Sequence, residues 1–108
     1  MKWILSTIFI IFSTKTFAGE PPELWSSIKD LDKSKEACEI QSSFILQSIG
    51  LENQIENKYG IYGNVKSNRV VVKCIAISSD KSKLMVAVAG NDRKSVEAVR
   101  NKLVKSIN

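Results

Sequence analysis

The longest run of β-branched and apolar residues beyond the N-terminus is Arg69-Val-Val-Val-Lys-Cys-Ile-Ala-Ile-Ser78. It lies between the polar turns Ser67-Asn68 and Ser79-Asp80, and this pattern predicts a central strand. Side chains alternate along a strand, so Val70, Val72, Cys74 and Ala76 share one face, and Val71, Lys73, Ile75 and Ile77 share the other. Both faces are largely apolar, which implies that both touch something. The polar stretch Ser78 to Ser82 leads into Lys83-Leu-Met-Val-Ala-Val-Ala89, a second strand. Leu51 to Val65 has a less regular strand pattern, with Ile55, Asn57, Tyr59, Ile61 and Val65 alternating with polar or glycine positions. Gly60 and Gly63 within it suggest a bulge or a close backbone approach. Short polar loops between these runs favour antiparallel hairpins.

Two segments keep a helical period instead. From Asp30 to Ile49, the residues Ala37, Cys38, Phe44, Ile45 and Ile49 share one broad face, while Asp32, Glu36, Glu39, Ser43 and Gln47 share the other. Asp30 or Asp32 supplies the N-cap, and Gly50 stops the helix with Leu51 folding back on the last turn. From Arg93 to Ile107, Val96, Val99, Leu103 and Ile107 form a single apolar stripe, entered through Gly90-Asn91-Asp92. Gly19-Glu20-Pro21-Pro22 is an extended lead-in. Trp25 behind it pins the segment onto the domain by packing. The pattern therefore predicts an α+β domain in α-β-β-β-α order, a three-stranded antiparallel meander with two helices packed on it.

The first residues change the setting. Lys2, the apolar segment Ile4 to Phe12 and the small-x-small site Thr16-Phe17-Ala18 have the anatomy of a cleaved secretory signal. The apolar segment is far below the ~20 residues that span a bilayer. The expected organisation is a signal at 1–18 and one domain at 19–108, located in the periplasm or secreted. Cys38 and Cys74 are the only cysteines, and an oxidising compartment makes them a structural disulfide. A redox pair would normally be close in sequence, as in C-x-x-C.

Charge narrows the partners. The chain carries 16 basic and 11 acidic residues, and removal of Lys2 and Lys15 leaves 14 against 11, a net charge of +3. No basic run interleaves with aromatics, which sets nucleic acid aside. The last helix does carry Lys94, Lys102 and Lys105 away from its apolar stripe, a candidate basic surface. Its cations near the C-terminus also suit the helix dipole.

The residue inventory argues against an enzyme. There is no histidine, which removes Ser-His and Cys-His pairs and the commonest metal ligand. Glu52 and Glu56 fall on one strand face rather than across a cleft. Gly60, Gly63 and Gly90 lack phosphate-loop spacing. No metal and no cofactor are expected. The helix bearing Cys38, the Tyr62-Gly63 step before the strand bearing Cys74, and Val88-Ala89-Gly90-Asn91-Asp92 are similar to features of small exported bacterial α+β proteins of unknown function. That resemblance implies a periplasmic α+β domain and transfers no catalytic residue.

Two function classes remain. One is an exported protein-binding module, for example an inhibitor or an immunity-type protein, acting on a target or a second copy. The other is an envelope accessory protein that binds an anionic polymer or a membrane surface through the basic last helix. For the first class, the candidate partner face is Val71, Ile75 and Ile77, opposite the face that carries Cys74. If the closing helix packs beside the first, that face stays open; if it crosses over, those residues are ordinary core.

Overall fold

The computed structural model describes residues 20–108; the expected signal, residues 1–18, lies outside them. Seven elements follow in order: β1 (Glu23–Leu31), α1 (Lys35–Ser48), β2 (Glu52–Asn57), β3 (Gly60–Val65), β4 (Asn68–Ser78), β5 (Lys81–Gly90) and α2 (Arg93–Ser106). All five strands form one antiparallel sheet in the order β1-β5-β4-β3-β2. The α+β class and the central place of the Cys74 strand hold, but the α-β-β-β-α order and the three-stranded meander do not: a strand precedes α1 and the sheet has five strands.

Two strands escape the sequence pattern, each for a physical reason. In β1 the apolar residues fall on both faces, Leu24 and Ile28 on one and Trp25 and Leu31 on the other. No period stands out, and a nine-residue register with β5, from Glu23 opposite Gly90 to Leu31 opposite Ser82, makes the segment a strand. Leu51–Val65 is two strands rather than one, because Lys58-Tyr59 reverses the chain between Asn57 and Gly60. Gly60 has φ +142, and a Cβ there would stand 2.8 Å from the Val72 carbonyl oxygen, so glycine is required. The irregularity expected near the glycines lies instead between Glu52 and Ile55, where Asn53 takes φ 55.

Helix α1 starts later than its period suggested. Its N-cap is Ser34, whose hydroxyl accepts from the Ala37 amide at 3.1 Å. Asp30 lies in β1 and pairs with Lys83; Asp32 follows it and pairs with Lys81 at 2.7 Å. The C-terminus does follow the expected device. Gly50 has φ +87, its amide donates to Gln47, and the Leu51 amide donates to Leu46, the two bonds of a Schellman motif. The buried side of α1 is Cys38, Ser42 and Leu46, while Phe44, expected on that side, is 73% exposed. The Cys38–Cys74 disulfide, with Cα atoms 6.0 Å apart, sets this rotation. Ser42 fills the space beside it, its Oγ 3.6 Å from Cys74 Sγ.

Both helices cover the same sheet face. Val70, Val72 and Cys74 of β4 and Leu84, Val86 and Val88 of β5 meet Cys38 and Leu46 of α1 and the Val96, Val99, Leu103 stripe of α2. Gln41 of α1 donates to the Ser106 carbonyl, which ties the two helices side by side. Trp25 lies on this side too, with Arg93 and Arg100 5.6 and 5.3 Å from its ring and its Nε1 donating to Glu23. Asp92 occupies the N-cap of α2 but its side chain makes no cap bond; the start of the helix is held by buried Asn68, whose Nδ2 donates to Ser95 Oγ at 2.9 Å.

The Asn68 amide packs directly on Gly90, where an added Cβ would lie 2.1 Å from Asn68 Oδ1 and 3.0 Å from Val96 Cγ2. Gly90→Ala is therefore expected to destabilise the protein by about 1–3 kcal/mol through overpacking. Asn68→Ala in the same chain is expected to recover part of that loss, a non-additivity visible in urea denaturation of the four-member cycle. The disulfide closes a sequence separation of 36 residues. Its loop-closure entropy corresponds to about 4 kcal/mol, so Cys38→Ala with Cys74→Ala should shift the urea midpoint by that equivalent.

Candidate functional site

The sheet face turned away from both helices is the candidate site. Strand pairing fixes which residues share it. One row runs Ser26, Ala87, Val71, Tyr62, Ile55 from β1 to β2; the next runs Ile28, Met85, Lys73; a third runs Leu24, Ala89, Arg69, Asn64. Asp30, Lys83 and Ile75 close the lower end. Leu24 is 70%, Ile28 64% and Ile55 61% exposed, where ordinary core strands of such composition would be covered. Val71, Met85 and Tyr62 between them are half-buried by their neighbours alone. A contiguous apolar surface of this kind marks an association site more often than chance.

Beside Tyr62 the face carries a groove of 430 Å³ lined by Asn53, Ile55, Asn57, Tyr62, Asn64 and Arg69. The bulge that holds Asn53 in a left-handed conformation also places it on the groove wall. Tyr59, in the β2–β3 turn, is 57% exposed, with Lys58 and Lys73 Nζ atoms 5.2 and 5.8 Å from its ring. A smaller apolar pair, Ile40 and Phe44, stands on the outer side of α1 one helical turn apart.

The residues singled out from the sequence are distributed as follows. Cys38 and Cys74 are joined. Val71 and Ile75 stand on the open face, and Ile75 is 39% exposed. Ile77 is exposed as well, but it lies within the register shift between Ala76 and Ser78, where it has no paired residue on β5. Lys94, Lys102 and Lys105 are exposed on α2 without forming one cluster: Lys94 and Lys105 are about 16 Å apart along the axis at 1.5 Å per residue. Lys102 instead shares a groove with Lys66, Ile49, Val65 and Val99. Leu24, Ile28, Ile55, Tyr62 and Arg69 belong to the site and went unrecognised in the sequence. The equal parity of Leu24, Ser26 and Ile28 was the available signal, legible once the segment is read as a strand.

Ion pairs sit around this surface more than on it. The hydrogen bond and charge of Lys81 hold the Asp32 carboxyl below its ordinary value, and Asp32 raises Lys81 in turn. The hydrogen bond that Lys35 donates to Glu39 likewise raises Lys35. These pairs are solvent-exposed and contribute little to stability. Among the described residues no cluster of three or more His, Cys, Asp or Glu side chains could hold a metal, and no helix is long and apolar enough to cross a membrane. Comparison with models of known families, with curated proteins and with solved structures found no match. What defines the chain is thus its own architecture, one antiparallel sheet with helices on a single face and a disulfide between layers.

The two faces of the sheet respond differently to charge. Ile28→Lys and Ile75→Lys should each leave the melting temperature within a few degrees of the parent, because exposed substitutions usually cost under about 0.5 kcal/mol. Val86→Lys, on the covered face at 0% exposure, should abolish cooperative unfolding by burying an unpaired charge. Circular dichroism melts of the three variants check this.

Proposed function

We propose that this chain is a small exported protein-binding module that engages another protein through the open face of its sheet, in the manner of an inhibitor or an immunity-type protein. The observation that carries this reading is the exposure of Leu24, Ile28 and Ile55 on a face that neither helix covers. Hydrophobic burial is the main driving force of protein association, and an interface core built of such residues needs no further chemistry. The rigid sheet and the disulfide behind it hold the surface in place before binding, which lowers the ordering cost. A bonded cysteine pair fits the oxidising environment of an exported protein. The sequence contains no histidine, and the reading assigns no catalytic step to any residue.

Site-specific photocrosslinking in the cell tests this. Replacing Ile28 or Ile75 with p-benzoylphenylalanine should give a discrete covalent protein adduct, and replacing Lys105 should give none. Adducts from the Lys105 position alone would overturn the reading and transfer the interaction to the basic helix.

A further inference from the structure

The charges on the open face say more about its partner than the apolar residues do. The other lysines of the strands and Lys35 of α1 have partners: Lys83 with Asp30, Lys81 with Asp32, Lys35 with Glu39, and Lys29 with the Val104 carbonyl. Arg69 and Lys73 stand on the middle strand in the rows on either side of Val71, and among the described residues neither has a carboxylate within ion-pair distance. Arg69 lines the 430 Å³ groove together with Ile55, Tyr62 and the amides of Asn53, Asn57 and Asn64. Lys73 leans toward the ring of Tyr59 at 5.8 Å. The one unpaired carboxylate on the face, Glu52, stands at its outer corner opposite Asn64.

We propose that the open face recognises an acidic protein surface, one that lays apolar side chains over Leu24, Ile28 and Ile55 and sets carboxylates against Arg69 and Lys73. The proposal rests on the protein-binding reading above and adds the chemistry of the partner. Covering two unpaired cations with apolar surface would strand them without water or counter-charge, so the occupant must bring the counter-charge. A guanidinium beside amide donors in a groove also lined by Ile55 and Tyr62 suits a carboxylate on a short side chain, which the Arg69 fork can bind through two parallel hydrogen bonds. A second copy is a poorer occupant. A two-fold axis over Val71, running along or across the strands, would set Arg69 and Lys73 against the same cations of the second copy, and like charges across an interface oppose association.

Panning the oxidised protein against a phage-displayed library of random dodecapeptides tests the inference, with the selected peptides then titrated by fluorescence anisotropy. Enriched peptides should carry Asp or Glu next to apolar residues. Their affinity should fall at least tenfold in the Arg69→Gln, Lys73→Gln double variant, and also in Ile28→Lys. Raising the salt should weaken binding to the parent more than to the double variant. Peptides without acidic residues, or binding that survives the double variant but not Ile28→Lys, overturn the acidic partner and leave the protein-binding reading standing. No enrichment, or peptides indifferent to every substitution, overturns both. Heparin bound through Arg69 and Lys73 but indifferent to Ile28→Lys would overturn the proposal by showing a site for charge alone. Sedimentation that reveals a dimer lost in Ile28→Lys would overturn it in favour of a second copy.

Discussion

Linking Cys38 of α1 to Cys74 in the middle of β4 commits the first helix to one side of the sheet and fixes its rotation. Cys38, Ser42 and Leu46 then face inward, and Ile40 and Phe44 are turned to solvent despite their apolar character. Helix α2 completes the same layer, since its stripe of Val96, Val99 and Leu103 meets β5 and β1 beside α1. A sheet can bury each face only once, and both helices have been used on one of them. The exposure of the other face is therefore a consequence of both helices packing on one side, not of a separate feature of the surface residues.

The same one-sidedness relates stability to recognition. The covered face holds nearly all the fully buried side chains, so it carries the folding free energy. The open face is supported from behind by that core and is free to vary without loss of the fold. Its mixture of exposed aliphatic residues, a groove lined in part by Tyr62 and unpaired cations is what a specific interface requires: area for affinity and charge for selection and encounter rate. Its two edges differ. Strand β2 is short, polar and bulged at Asn53, which discourages strand-to-strand pairing, whereas Arg100 reaches from α2 to the Ser26 carbonyl of β1. Association through the face is thus favoured over extension of the sheet.

Several features of this arrangement were written locally. The Val-rich run of β4, the alternation of β5, the stripe of α2, and the Gly50 stop all depend on residues within a few positions of one another, and all appear where the pattern put them. The cysteine pair, too, was legible, because only two are present and the chain begins with an export-like segment. Strand β1 was not, since its apolar residues divide between a face under α2 and a face in solvent, and periodicity records only residues that share an environment. Strand β2 was legible only as part of one longer strand from Leu51 to Val65; with one aliphatic residue of its own, it is a separate strand only because β3 offers it backbone partners.

For the site, the sequence determined the chemistry available and tertiary structure decided its use. Alternation alone placed Val71, Lys73 and Ile75 together on one side of β4. Whether that side was core or surface depended on where a helix thirty residues away would pack, and no local pattern encodes the side on which an amphipathic helix lands. Both helices expose one apolar stripe, and either sheet face could have received α2. The choice was made by the contacts between α1 and α2, such as Gln41 to Ser106, and by the seating of the first turn of α2 against Asn68, which pairs positions far apart in the chain. Composition and spacing fixed the fold class and the cross-link; the shared placement of the two helices is what turned Leu24, Ile28, Ile55 and Arg69 into one surface.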